Sequence, residues 1–211
     1  MRTLLTSLVA LAIAAPVAAQ DDPDNAVKGG GQMPAGWHAR TDKDAALDNV
    51  KFETMGPGWH VTTGPAVILW RDADATTGSY TLKASITQTK APAHPESYGV
   101  FTGGKDLAGA GQQYTYYLIR GDGKFLIKRR TGATTANVTD GWTEHAAITK
   151  ADAAGKATNT LEVVVSGDKA SFRANGTEVW SGAASAIDAQ GIAGLRINHN
   201  LDLHVSEFGA K

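Results

Sequence analysis

Two tyrosines and three cations, Tyr114, Tyr116, Arg120, Lys128 and Arg130, fall within one short run of the chain. In an extended strand alternate residues share a face. A strand over 113–120 therefore carries Tyr114, Tyr116, Leu118 and Arg120 on one side. Gly121-Asp122-Gly123 supplies the positive-φ positions of a hairpin turn. The return strand over 124–130 places Phe125 and Ile127 on one face and Lys124, Leu126, Lys128 and Arg130 on the other. Pairing the apolar sets sends Ile119, Phe125 and Ile127 to a core and leaves the tyrosines and the three cations on the wetter face. Aromatic rings stack on the C–H surface of a sugar, while guanidinium and ammonium groups donate to hydroxyls or carboxylates. The pattern points to carbohydrate recognition, with Tyr98 just upstream and Arg196, Asn198 and His204 from late strands as further members. The plainer alternative is a half-buried sheet face in which tyrosine serves strand propensity and cross-strand pairing.

A second set has acid–base character. Glu96 lies two residues from His94 in the loop 91–97, where a sandwich can present it beside Tyr116 and Arg120. A carboxyl against aromatic surface is raised in pKa and suits a general acid, with His94 as its partner. The alternative is a polar loop between two prolines. His199, Asp202 and His204 form a weak metal pattern, because only Asp202 and His204 share a strand face. Calcium is possible, since Asp106, Asp122, Asp140 and Asp168 lie in turns that offer oxygen ligands, although aspartate is also an ordinary turn residue. No cofactor is required. A Ser-nucleophile elbow, a P-loop and a dinucleotide fingerprint are all absent from the sequence.

Elements able to position such groups must come from a chain of 211 residues with 24 glycines, no cysteine and a formal net charge of −1. A balance this close to zero implies no broad field for nucleic acid. The missing thiols exclude cysteine nucleophiles, zinc–cysteine sites and iron–sulfur clusters. Arg2, an apolar run over 4–15 and Val17-Ala18-Ala19 read as a signal peptide over 1–19, which predicts export to a bacterial periplasm or the medium, with no membrane span left in the mature chain. A flexible lead-in over 20–32 and a single domain over 33–211, expected as a monomer, follow.

Short strands bounded by turn residues recur along the domain, at 50–55, 66–70, 79–90, 160–165, 170–174, 178–181, 191–198 and 201–208, with an edge strand at 142–148. Turns are expected at 72–78 and 152–157, a polar loop at 132–141, and Asn175-Gly176 is a strong hairpin signal. No helix of more than a turn or two is predicted. The fold class is all-β, a sandwich of two antiparallel sheets. Trp37-His38 and Trp59-His60, each after a glycine, make two similar phrases near its start.

The hairpin Val163, Val165, Gly167, Asp168, Phe172, Asn175 and Gly176, then Gly191, Gly194, Leu195, Arg196 and Phe208, resembles the signature of concanavalin A-like lectin/glucanase and laminin-G-like domains. With Trp59 and Gly64 the layout looks like the bacterial 3-keto-disaccharide hydrolase domain family, over roughly 37–208. The resemblance implies a concanavalin A-like jelly-roll β-sandwich, a carbohydrate or glycan partner and, as an alternative to binding alone, cleavage of a glycosidic bond in a 3-keto-sugar. A structural or adhesive envelope role is the third reading. The paired-carboxylate Glu-x-Asp-x-x-Glu strand of glucanases is absent here, and no catalytic residue is carried over.

Overall fold

A computed structural model gives the fold, and the structure describes residues 26–211. The predicted signal peptide and its cleavage point lie outside the described residues. Strands are numbered in chain order. One sheet runs β1 (His38–Thr41), β4 (Val67–Thr76), β14 (Gly191–Ile197), β6 (Ser97–Lys105), β7 (Gln113–Arg120), β8 (Lys124–Thr131) and β10 (Thr143–Glu144), with β9 (Thr134–Asn137) also paired to β8. The other runs β13 (Thr177–Ala183), β12 (Lys169–Ala174), β11 (Ala157–Ser166), β5 (Tyr80–Gln88), β15 (Asp202–Ala210), β3 (Trp59–Thr63) and β2 (Val50–Thr54). Every ladder between these strands is antiparallel. This is an all-β jelly-roll sandwich of two antiparallel sheets.

Period-two patterning builds the space between the sheets. Tyr80, Leu82, Ala84 and Ile86 of β5 and Leu161, Val163 and Val165 of β11 point inward from one sheet. Tyr117 and Ile119 of β7, Phe125 and Ile127 of β8, and Leu195 and Ile197 of β14 meet them from the other. The two Trp-His phrases also have a physical reading, because Trp37 and Trp59 join this core with ring centroids 5.2 Å apart.

Several boundaries differ from the sequence expectation. β4 continues through the predicted turn to Thr76, and Arg71 clamps Asp74 within it by bonds of 2.6 and 2.9 Å. Its ladder with β14 shifts register between Ile192 and Gly194, a bulge that accommodates the extension. The predicted polar loop over 132–141 contains β9. The predicted edge strand over 142–148 shrinks to the two residues of β10, since Ile148 turns down into the core. The lead-in is partly tied to the domain: Gly30 bridges Lys51, and Phe52 N–H donates to the Gly30 carbonyl at 2.9 Å.

Candidate functional site

An outer sheet face is ordinarily polar. On the eight-stranded sheet it carries a second apolar layer instead, formed by Ile68, Trp70, Phe101, Leu107, Tyr114, Tyr116 and Leu118, with Trp142 and Ile192 packed against it. Leu107 and Gln112 are buried, and Gly132 N–H donates to the Gln112 carbonyl at 2.8 Å, so the segment between β6 and β7 is fastened to the one between β8 and β9. A cavity of about 350 Å³ opens on this layer, lined by Asp42, Tyr116, Leu118, Leu126, Lys128, Arg130, Thr135, Trp142, Arg196 and Asn198.

Register explains how six of these arrive. Tyr116 pairs with Lys128, Tyr114 with Arg130 and Leu118 with Leu126 across the β7–β8 ladder. Two strands over, Arg196 of β14 lies between Ile68 and Gly99. Arg196 sits 5.8 Å from the centre of the Tyr116 ring.

Asp42, just beyond β1, ties the arrangement together. Arg196 donates from Nη1 and Nη2 to its two carboxylate oxygens at 2.5 and 2.7 Å, and Arg130 Nη1 donates to Oδ1 at 2.9 Å. Bidentate guanidinium–carboxylate bonds of this kind fix both position and orientation. Arg196 Nε donates to Asn198 Oδ1 at 3.1 Å, Asn198 Nδ2 to Ser97 Oγ at 2.9 Å, and Arg130 Nε to the Gly132 carbonyl at 2.9 Å. Burial alone raises the pKa of Asp42, but the hydrogen bonds and charges of Arg196 and Arg130 outweigh it and hold the carboxyl below its ordinary value of 3.8. Burial likewise pushes the Tyr116 phenol up to about 12, so it stays protonated and available as a donor. The arrangement is an ionised, hydrogen-bonded cluster lying against aromatic surface. Such a surface can hold a ring through its C–H face while its hydroxyls or acidic groups meet fixed donors.

The structure thus brings together Tyr116, Lys128, Arg130, Arg196 and Asn198 from the sequence-predicted set. Tyr114 lies fully buried beneath them as floor. Arg120 is on the predicted face but behind the cleft, held by Asp122 at 2.5 Å and stacked 4.4 Å from the centre of the Trp142 ring.

Two predicted ligand residues are corrected. Tyr98 pairs with Ile119 and points to the core, because β6 begins its outward set at Ser97, Gly99 and Phe101. Its phenol is buried and raised to about 12. His204 belongs to β15 in the opposite sheet, where it pairs with His60, and its Nε2 meets the Pro57 carbonyl at 2.8 Å.

Glu96 and His94 do not join Tyr116. They line a separate cavity of about 380 Å³ with Gln88, Pro92, Gly121 and Asp122. Asp202 is engaged by His60 Nε2 at 2.7 Å, Lys90 at 3.0 Å and the Thr89 hydroxyl. Among the described residues no three His, Asp or Glu side chains converge as a cation site. Asp106 accepts the Gly111 N–H at 3.1 Å.

The sequence reading missed Asp42 and Trp142. Trp142 had a signal, as a large aromatic residue directly after Asp140-Gly141 in a polar stretch. Asp42 had none beyond its neighbourhood to Trp37-His38.

The chain matches no protein-family model and no curated protein sequence. Its fold is similar to that of the carbohydrate-binding module CBM66 from Bacillus subtilis, at TM-score 0.60 and 11% identity, over 83% of this chain and 95% of that one. It is similar also to a protein of unknown function with a galectin-like fold from Bacillus subtilis, at TM-score 0.60 and 8% identity, over 90% and 93%. At such identities the likeness is one of fold.

Proposed function

We propose that this chain is an exported glycan-binding protein that takes sugar in the cleft between Trp142, Tyr116 and the Asp42–Arg196–Arg130 network. One observation carries the reading: aromatic side chains and guanidinium groups held in place by Asp42 line a single cavity on an otherwise apolar outer sheet face. Sugars need both kinds of wall, because one face of the ring is C–H and its rim is hydroxyl. The carbohydrate-binding name of one fold neighbour supports the same ligand class, and the signal-peptide pattern over 1–19, with its apolar run over 4–15, supports export.

The test is titration calorimetry against a glycan panel with Trp142→Ala. Trp142 is half-buried at the rim, and aromatic anchors of this kind carry a large share of binding energy. The substitution is expected to weaken glycan binding by roughly tenfold or more. His204→Ala, on the opposite sheet, is expected to leave affinity unchanged. Undiminished affinity in Trp142→Ala for every glycan bound by the wild type would remove the cleft as the site.

A second reading, glycosidic-bond cleavage in a 3-keto-sugar, rests on the shared cavity of His94 and Glu96. The proton beside the keto group is acidified, so a general base can start elimination without a carboxylate pair. With 3-keto-disaccharides, Glu96→Gln is then expected to abolish product release measured by mass spectrometry. Wild-type turnover in that variant excludes Glu96 as the base.

A further inference from the structure

The charge of the cleft does not balance. Three cationic side chains line it, Lys128, Arg130 and Arg196, against one carboxylate, Asp42. Both Asp42 oxygens are taken by Arg196, and Arg130 shares one of them. One negative charge therefore serves two guanidinium groups. Lys128 makes no ion pair among the described residues, whereas its neighbours off the cleft are paired: Arg120 with Asp122 and Arg129 with Asp188. The surplus is local, since the whole chain carries −1. The surplus of two positive charges lies beside Tyr116, Leu118 and Leu126, with Arg130 and Arg196 only 12% and 8% exposed and Lys128 half-buried, so an anion placed there gains more than it would in bulk solvent. A bare anion would leave the aromatic wall unused. A neutral sugar would leave the charge unused.

We infer that the cleft selects acidic glycans, in which a sugar ring rests on the aromatic wall and its anionic group, a uronate carboxylate or a sulfate ester, meets Lys128 and Arg130. The inference rests on the glycan-binding reading and adds the chemical class of the ligand. Asp42 then acts as a positioning residue: it aims the two guanidinium groups without neutralising both.

The experiment measures the affinity of the purified protein for three oligosaccharides of equal length, a neutral hexose polymer, its uronate counterpart and a sulfated counterpart, at low and at high salt. At low salt at least one acidic ligand is expected to bind about tenfold more tightly than the neutral one. The advantage is expected to shrink as salt rises, because the attraction is screened. Lys128→Gln, a half-buried strand position, is expected to reduce the acidic-to-neutral ratio by about threefold or more. Preference for the uronate over the sulfated ligand, or the reverse, identifies the anionic group, and either supports the inference. Equal or tighter binding of the neutral ligand overturns it while leaving glycan binding in place. An acidic preference that neither salt nor Lys128→Gln changes also overturns it. Binding of none of the three overturns both readings.

Discussion

Asp42 is the residue on which the cleft depends. Arg196 is only 8% exposed on its side chain and has no other carboxylate partner among the described residues. Removing one member of a buried pair leaves an uncompensated charge, and such losses run to about 3–5 kcal/mol. Asp42 is 31% exposed, so Asp42→Ala is expected at the low end, about 3 kcal/mol, read as a lower urea midpoint at unchanged slope. Adding Arg196→Met to that variant is expected to restore part of the loss, because the orphaned charge goes too. An unchanged midpoint in Asp42→Ala would mean that Arg196 is solvated well enough without its partner. The same residue marks the limit of what the sequence discloses about the site. Tyr116, Lys128 and Arg130 were legible because one hairpin brings them together, so alternation and a tight turn suffice to place them. Asp42 reaches Arg130 across 88 positions and Arg196 across 154, and no local pattern encodes either meeting.

At the level of elements, legibility followed how many faces of a strand are covered. The β7–β8 hairpin shows its core-facing Ile119, Phe125 and Ile127, because pairing the apolar sets of two strands across a tight turn breaks the tie. β6 is different: every residue from Ser97 to Gly104 is buried. One face packs on the opposite sheet and the other lies under the apolar layer around Phe101 and Leu107. A strand covered on both sides reads as a continuous apolar and glycine-rich run, so its phase is not visible, and the sequence expectation places Tyr98 on the wrong face. His204 failed for another reason. Its own strand was legible, but the sheet a strand joins is decided by long-range pairing, here of β15 with β3 and β5 rather than with β14. Gly194 shows how close that packing is: a Cβ there would lie 2.4 Å from the Leu69 carbonyl oxygen and from two Phe101 ring carbons. The glycine that the family resemblance marks as a signature position is thus required by the close meeting of β14, β4 and β6.

For the whole molecule, the two outer faces carry ionic clusters of similar construction and different consequence. On the eight-stranded sheet Asp42 is held by Arg196 and Arg130; on the seven-stranded sheet Asp202 is held by His60, Lys90 and Thr89. Burial raises both carboxyls, but hydrogen bonds and neighbouring cations prevail, and both lie below the ordinary 3.8. A carboxyl depressed in the folded state contributes stability that is fully present above its unfolded pKa and is lost as pH falls through the folded one. Stability from these two groups is therefore expected to be flat from about pH 5 upward and to drop below about 3.8, followed as urea midpoints across a pH series. The two clusters separate when binding is measured beside stability. Asp202→Asn is expected to shrink the acid-dependent drop while leaving glycan affinity at neutral pH unchanged, since nothing on that face lines the cleft. Asp42→Asn is expected to shrink the drop and weaken glycan binding together, because a neutral amide aims the guanidinium groups less firmly. An acid profile in Asp202→Asn that matches the wild type would show that its cluster contributes nothing to folding. Loss of glycan affinity in that same variant would move the binding surface to the other sheet.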